Sequence, residues 1–418
     1  MTATPIDALV LDARLRQSLA TIRSLGRRGM SIAALDTMAE VPAFCSRWCR
    51  QRFVCPAEDA SDAYVAYVEQ LLEHVGARVL IPSHDGTIAV LRRHRARLER
   101  RVRLALAAEP SISLAVDKAQ TLAIAERLGI RVPSTLAISG AADLAPALKQ
   151  IGLPAVVKPT ESWLGAGDAG AWIGPQLVTS VDEARRAVAE ITRRGGVALF
   201  QRLLTGRREA VSFLYAGGEI YARFAQWAKR TRPPLGGESV LRQSIAVPLD
   251  VGGQAERLVR EMNLEGYSEI EFRRDRAGVP HLMEVNPRLS ASVDIAVRCG
   301  VDFPRLLYQW ADGSPIDRMD RYRVGRWMRY LQGDVMTTIA ALEQRGRPGI
   351  ASPVQTLAAF GWSFLRPMRY DYVDWIDPVP AVKALAGFAR EIGRSAVRTA
   401  VRRARSRYMK GRSWTMTP

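Results

Sequence analysis

The chain has 418 residues, 48% hydrophobic and 24% charged, which excludes a disordered chain and predicts two or three folded domains. No run approaches the ~18 uninterrupted apolar residues of a membrane-spanning helix, and the first residues lack the basic-then-apolar order of a secretory signal. The formal net charge is +18, but only six of the 60 basic residues are lysine; such arginine dominance reads as genome composition before it reads as a nucleic-acid surface, and no nucleic-acid-binding motif accompanies it.

Residues 7–36 run apolar strand, amphipathic helix, glycine stop, apolar strand, which is the βαβ opening of a parallel sheet. "VLDAR" after the first strand lacks the glycine fingerprint of a dinucleotide site. Cys45, Cys49 and Cys55 lack the paired spacing of a zinc or redox site, so reduced thiols in a cytoplasmic protein are expected. A further helix over "YVAYVEQLLEHV" and a buried strand over "ARVLIPS" complete a predicted parallel α/β domain over residues 1–112.

The pattern changes near residue 113. A helix begins at about Asp117, opens with Lys118 and stops at Gly129; then "LPAVVKPT" is a buried strand that ends in Lys158. "ESWLGAGDAGAWIG" holds four glycines in fourteen residues and reads as a mobile loop with Trp163 and Trp172 packed at its edges. The strand "VALFQRLL" precedes a hairpin turning at Gly217-Gly218. Beyond residue 316 the sequence is rich in Arg and Trp, with helical stretches and a loop "DYVDWIDPVP". The tail over residues 393–412 carries eight basic residues and no acid. A solvated helix end is the first reading for it, an anionic membrane surface the second and nucleic acid the third.

"YSEIEFRRDRAGVPHLMEVNPRLS" (267–290) is the informative hairpin. A two-residue turn at Ala277-Gly278 places Glu271 opposite Glu284, with like charges ~5 Å apart at Cβ. Strand alternation adds Asn286 to the face of Glu284 and turns His281 away from it. Two carboxylates and an amide oxygen suit Mg²⁺, whose remaining ligands are waters and substrate phosphates. A longer loop would instead shift the register and leave the glutamates on the surface. Lys158 before a glycine-rich loop, and Lys118 at a helix start, both suit phosphate. Lys229, Arg230, Arg232 and Arg242 crowd a Pro-Pro-x-Gly-Gly turn, and the first three are candidates for binding an acidic substrate.

The segments "DKAQTLAIAERLGIRVPST", "LPAVVKP", the glycine-rich loop, "FQRLLTGRREAVSF", "YSEIEF" and "LMEVNPRLSASVDIAVRCGVDFP" stand in an order that resembles the ATP-grasp superfamily, and within it bacterial carboxylate–amine ligases of unassigned substrate. The resemblance implies a mixed α/β (α+β) chain. A parallel α/β domain (1–112) would precede an ATP-grasp domain (113–315) whose two antiparallel-sheet subdomains clasp ATP. A helical, basic C-terminal extension (316–418) would follow. It implies that Lys118 and Lys158 contact the ATP phosphates, and that Glu271, Glu284 and Asn286 hold Mg²⁺ (or Mn²⁺). Arg288 would reach the transferred phosphoryl group or the substrate carboxylate. Gln201, Leu203 and Leu204 would frame adenine, and Glu209 would meet the ribose hydroxyls. Arg202 departs from the glutamate common at its position. The implied reaction is acyl phosphate formation from a carboxylate and ATP, then attack by an amine; a regulatory ATP-binding subunit and a non-amine nucleophile are the alternatives. Similar proteins are often dimers.

Overall fold

The computed structural model describes residues 5–57, 61–165 and 170–394. Part of the glycine-rich loop, and the basic tail from residue 395, therefore lie outside the described residues. Strands β1 (Ala8–Val10), β2 (Ile32–Asp36), β3 (Cys49–Val54), β4 (Val79–Ile81) and β5 (Arg103–Leu104) form a parallel sheet in the order β3-β2-β1-β4-β5. Every residue of β1, β2 and β4 is buried, the signature of a parallel sheet covered on both faces. Helix α1 (Arg16–Gly26) makes the crossover from β1 to β2, and Gly29, at φ 80°, turns the chain back.

A second sheet is antiparallel. Strands β6 (Thr135–Ile138), β7 (Ala155–Pro159), β10 (Gln176–Val178) and β11 (Ala198–Arg202) lie in the order β10-β7-β11-β6. A small ribbon of β8 (Trp163–Leu164) and β9 (Ala171–Trp172) lies between β7 and β10 in the chain. The third sheet has seven strands: β12 (Arg208–Ala216), β13 (Glu219–Arg232), β14 (Glu238–Ile245), β15 (Gly266–Arg274), β16 (Pro280–Asn286), β17 (Trp327–Arg329) and β18 (Arg369–Tyr370), ordered β16-β15-β12-β13-β14-β17-β18. The β12–β13 turn is Gly217-Gly218, both at positive φ as a two-residue primed turn requires. The segment expected to be a helical extension does supply the helices Leu331–Glu343 and Pro353–Trp362, but it also gives β17 and β18 to the large sheet.

The hairpin of β15 and β16 pairs Glu271 with Glu284 and Glu269 with Asn286. The expected two-residue turn is not how it achieves this. Arg274 pairs with Pro280, which leaves a five-residue loop, and a bulge between Glu271 and Phe272 inserts Met283 and restores the pairing. The bulge also reverses the expectation for His281. It pairs with Arg273, two residues from Glu271, and so lies on the face of Glu284; its ring turns to Asp275 at 3.1 Å. The opposite face, with Ile270, Phe272, Leu282 and Val285, joins the largest apolar core.

The loop "DYVDWIDPVP" is a strap onto the parallel sheet's first helix. Asp371 accepts from Arg16 at 2.8 Å and from Arg242, Asp374 pairs with Arg27, and Asp377 accepts from Arg23 at 2.9 Å and from Ser46 at 2.7 Å. Three aspartates spaced by three residues thus neutralise three arginines of α1 and its C-terminal cap.

Candidate functional site

The antiparallel strands, the carboxyl ends of β1 and β4, and the C-terminal segment enclose a cavity of about 570 Å³. The hairpin supplies Glu269, Glu271, Glu284 and Asn286, and the turn after β16 supplies Arg288. From the second sheet comes Lys158, 5% exposed, whose Nζ donates to the carbonyl of the bulge residue Met283 at 3.1 Å. Lys118 begins its helix over an Asp117 side-chain cap, and its Nζ donates to Ser162 Oγ at 2.9 Å. Both expected lysines and all three expected oxygen donors therefore meet in one place.

The charges there are coupled. Burial opposes the ionised Glu284, yet Lys118 and Lys158 together hold its carboxyl below the ordinary carboxylate range. Burial drives the Lys158 amine down to about 8, with Lys118 pushing the same way and Glu284 and Glu271 opposing. Burial pushes Glu271 up; Arg208 pulls it down and the Glu284 charge pushes it up again. Arg208, whose Nε lies 2.8 Å from Glu271, forms a two-pronged pair with it. Arg288 is held in the same manner by Asp85, 3.1 Å from its Nη2. Despite burial, Arg288 keeps the Asp85 carboxyl at about 2.

The donor set fits a magnesium ion that arrives with phosphates. Among the described residues no three His, Cys, Asp or Glu side chains form a ready metal cluster. Glu284 and Asn286 offer a carboxylate and an amide oxygen, and Glu271 would join them only if Arg208, which holds it here, released it. One or two carboxylates completed by water and phosphate oxygens is the usual Mg²⁺ requirement.

Other expected residues are placed elsewhere. Glu209 pairs with Phe272 across the strands and so faces away from Glu271; it is 3% exposed and ion-paired to Arg207 at 2.9 Å and Arg274 at 2.8 Å. Its neighbour Arg208 takes the cavity face instead. Arg230 is tied to Asp334 at 2.6 Å, and Lys229 lies over the Trp327 ring; neither lines the cavity, whereas Arg232 does. Gln201 is fully buried and donates to Thr135 Oγ1 at 2.9 Å, and the Leu204 carbonyl accepts from Arg273 at 3.3 Å. Gln201, Leu203 and Leu204 are not in the cavity wall. Trp163 packs against His84 at the edge of its loop, as expected, but Trp172 lines the cavity and its Nε1 donates to Asp85 at 3.2 Å.

Four contributors escaped the sequence reading: Asp85, Arg208, Glu269 and Gln226. Glu269 is 4% exposed and is held by neutral donors, Gln226 Nε2 at 3.0 Å and Ser212 Oγ at 3.3 Å. Its place two residues before Glu271 was the one available signal.

Residues 203–333 match the family model described as "ATP-grasp in the biosynthetic pathway with Ter operon". The chain has the ATP-grasp fold. A D-alanine–D-alanine ligase from Nitrosospira multiformis is 23% identical over 184 residues, covering 42% of this chain and 57% of that protein. The chain spans 57 to 65% of the length of the curated relatives it matches. Among ATP-grasp-like solved structures, the ADP complex of purK, an N5-carboxyaminoimidazole ribonucleotide synthetase, superposes with TM-score 0.61 at 15% identity, over 87% of this chain and 99% of that one. An L-amino acid ligase from Bacillus licheniformis gives TM-score 0.58 at 18% identity, over 78% and 79%.

Proposed function

We propose that this ATP-grasp protein is an Mg²⁺- and ATP-dependent ligase that joins a carboxylate to an amine. The observation that carries the reading is the convergence of Lys118 and Lys158 on the opposed pair Glu271 and Glu284, beside Asn286, in one cavity. Relatives named as D-alanine–D-alanine ligases, and a neighbour named as an L-amino acid ligase, support the amine as nucleophile.

Lys118 and Lys158 bind the triphosphate as point charges. Glu284 and Asn286, with Glu271 released from Arg208, would hold the magnesium ion, which when bound neutralises charge on the β- and γ-phosphates. A carboxylate oxygen of the substrate attacks the γ-phosphorus, the bond to the β-phosphate oxygen breaks, and ADP leaves. The amine then attacks the acyl carbon; inorganic phosphate departs and one proton is released. Such a sequence needs oriented charge and exclusion of water more than a proton shuttle. Arg288, fixed by Asp85, is positioned for the transferred phosphoryl group or the acid. The Gln201–Leu204 backbone lies outside the cavity wall, so it would read adenine only if Arg273 gave up the Leu204 carbonyl and the cavity opened to reach it. Glu209 has no part in this scheme while it faces Arg274.

The test is a phosphate-release screen with Mg-ATP against a matrix of carboxylic acids and amines. Release that needs both an acid and an amine is expected, and the double variant Glu284→Ala, Asn286→Ala serves as the blank. Release that survives in the blank contradicts the assignment. One observation favours a second reading, a non-catalytic nucleotide-binding subunit: Arg208 already neutralises Glu271. That reading predicts nucleotide binding with no release under any pairing.

A further inference from the structure

The cavity wall carries one carboxylate that the reaction scheme leaves unused. Glu269 lies two residues before Glu271 on β15, on the same strand face and about 7 Å along it, directly opposite Asn286. It is 4% exposed and lines the cavity. Its Oε2 is fixed by neutral donors alone, Gln226 Nε2 at 3.0 Å and Ser212 Oγ at 3.3 Å. These donors are tied in turn. Gln226 Nε2 also donates to Ser292 Oγ at 2.6 Å, Ser212 Oγ lies 3.1 Å from Tyr267 Oη, and Ser290 Oγ joins Tyr267 at 3.2 Å to Ser292 at 3.1 Å. The ring orients the carboxylate without neutralising it.

No lysine, arginine or histidine forms an ion pair with Glu269 among the described residues. Arg208 and Arg288 lie within its field, but their guanidinium groups are committed to Glu271 and Asp85. A shared metal ion does not explain the carboxylate either. Glu269 does not converge with Glu271 and Glu284 on one point, since among the described residues no three acidic side chains do.

A separate observation says where the counter-charge comes from. The second oxygen, Oε1, accepts no hydrogen bond among the described residues, and it is open to the cavity, not sealed inside the wall. A buried carboxylate is costly unless a cation pairs with it. The one open oxygen lies where a bound substrate would bring that cation.

We propose that Glu269 binds the ammonium group of the acid that is activated in this cavity, so that the substrate class is an amino acid. This rests on the ligase reading for the role of the substrate carboxylate. Arg288 supplies the opposite charge on the same wall. The two ends of a zwitterion then meet complementary groups, the carboxylate toward Arg288 and the ammonium on Glu269 Oε1. The subsite serves the acid and not the attacking amine, because a nitrogen held as an ammonium ion is donor only and has no lone pair with which to attack.

Isothermal titration of the full chain tests this. Magnesium with a non-hydrolysable ATP analogue is titrated first; no binding there defeats the ligase reading, and Glu269 is then judged by the same comparison in nucleotide-free protein. Glycine, L- and D-alanine, β-alanine, L-glutamate and L-phenylalanine are each compared with the hydroxy acid of the same carbon skeleton. At least one amino acid is expected to bind about tenfold more tightly than its hydroxy analogue. Glu269→Gln keeps an oxygen for Gln226 and Ser212, and it is expected to cut that ratio to about threefold or less. Its affinity for the magnesium nucleotide is expected to stay within about twofold of wild type. The wild-type comparison decides the matter if the variant fails to fold. The proposal is overturned by equal binding within every pair or by a ratio that persists in Glu269→Gln. A loss of about tenfold in magnesium-nucleotide affinity in that variant, the mark of a metal ligand, also overturns it.

Discussion

Lys158 shows how burial and charge set the working range of a single side chain. Its amine is pushed down to about 8 mainly by burial, so in the empty site it is protonated below that pH and neutral above it. A triphosphate prefers the protonated form, and linkage makes affinity fall as pH rises through about 8. The Michaelis constant for Mg-ATP is therefore expected to rise above pH 8, and Lys158→Arg, charged throughout, to flatten the profile; a flat wild-type profile contradicts the assignment. Lysine scarcity made Lys158 and Lys118 legible in the sequence. Glu209 was expected at the ribose from the resemblance alone; it pairs with Phe272 and so lies on the strand face opposite Glu271. Glu209→Gln is expected to lower stability by roughly 1–3 kcal/mol through loss of its buried ion pairs and to leave the affinity for Mg-ATP within about twofold of wild type. Thermal melts and nucleotide titration check the two halves.

Elements were legible where local patterns determine them. The βαβ opening follows from apolar runs and a glycine stop, and the β12–β13 turn follows from two glycines. The Glu271–Glu284 pairing was reached through the wrong turn: a five-residue loop and a bulge compensate each other, and alternation cannot reveal a bulge. That bulge also exposes the Met283 carbonyl to which Lys158 donates, so it links the second and third sheets. The strap over residues 371–377 was illegible, since Arg23 and Asp377 lie 354 residues apart and charge alone does not choose among 54 arginines. Removing Asp377 leaves a buried guanidinium, 4% exposed, without its carboxylate. Asp377→Ala is expected to cost about 3–5 kcal/mol of stability, read by denaturant unfolding; a loss below about 1 kcal/mol would mean the strap is ornamental.

On the scale of the molecule, the sequence indicated three regions, and the structure makes them interdependent. The C-terminal segment completes the large sheet with β17 and β18 and, through Tyr330 and Tyr372, lines the cavity. Long-range strand order is the information a single sequence carries least, because β16 and β18 stand at opposite edges of one sheet. Many of the arginines are locked into ion pairs such as Arg242–Asp371 and Arg329–Asp334, which leave the +18 excess unchanged and which composition could not show. The most direct measurement is titration of a non-hydrolysable ATP analogue into wild type with magnesium, into wild type with chelator, and into Glu284→Ala, Asn286→Ala with magnesium. The account predicts that the second and third bind about tenfold or more weakly than the first. Equal affinity in all three would contradict it.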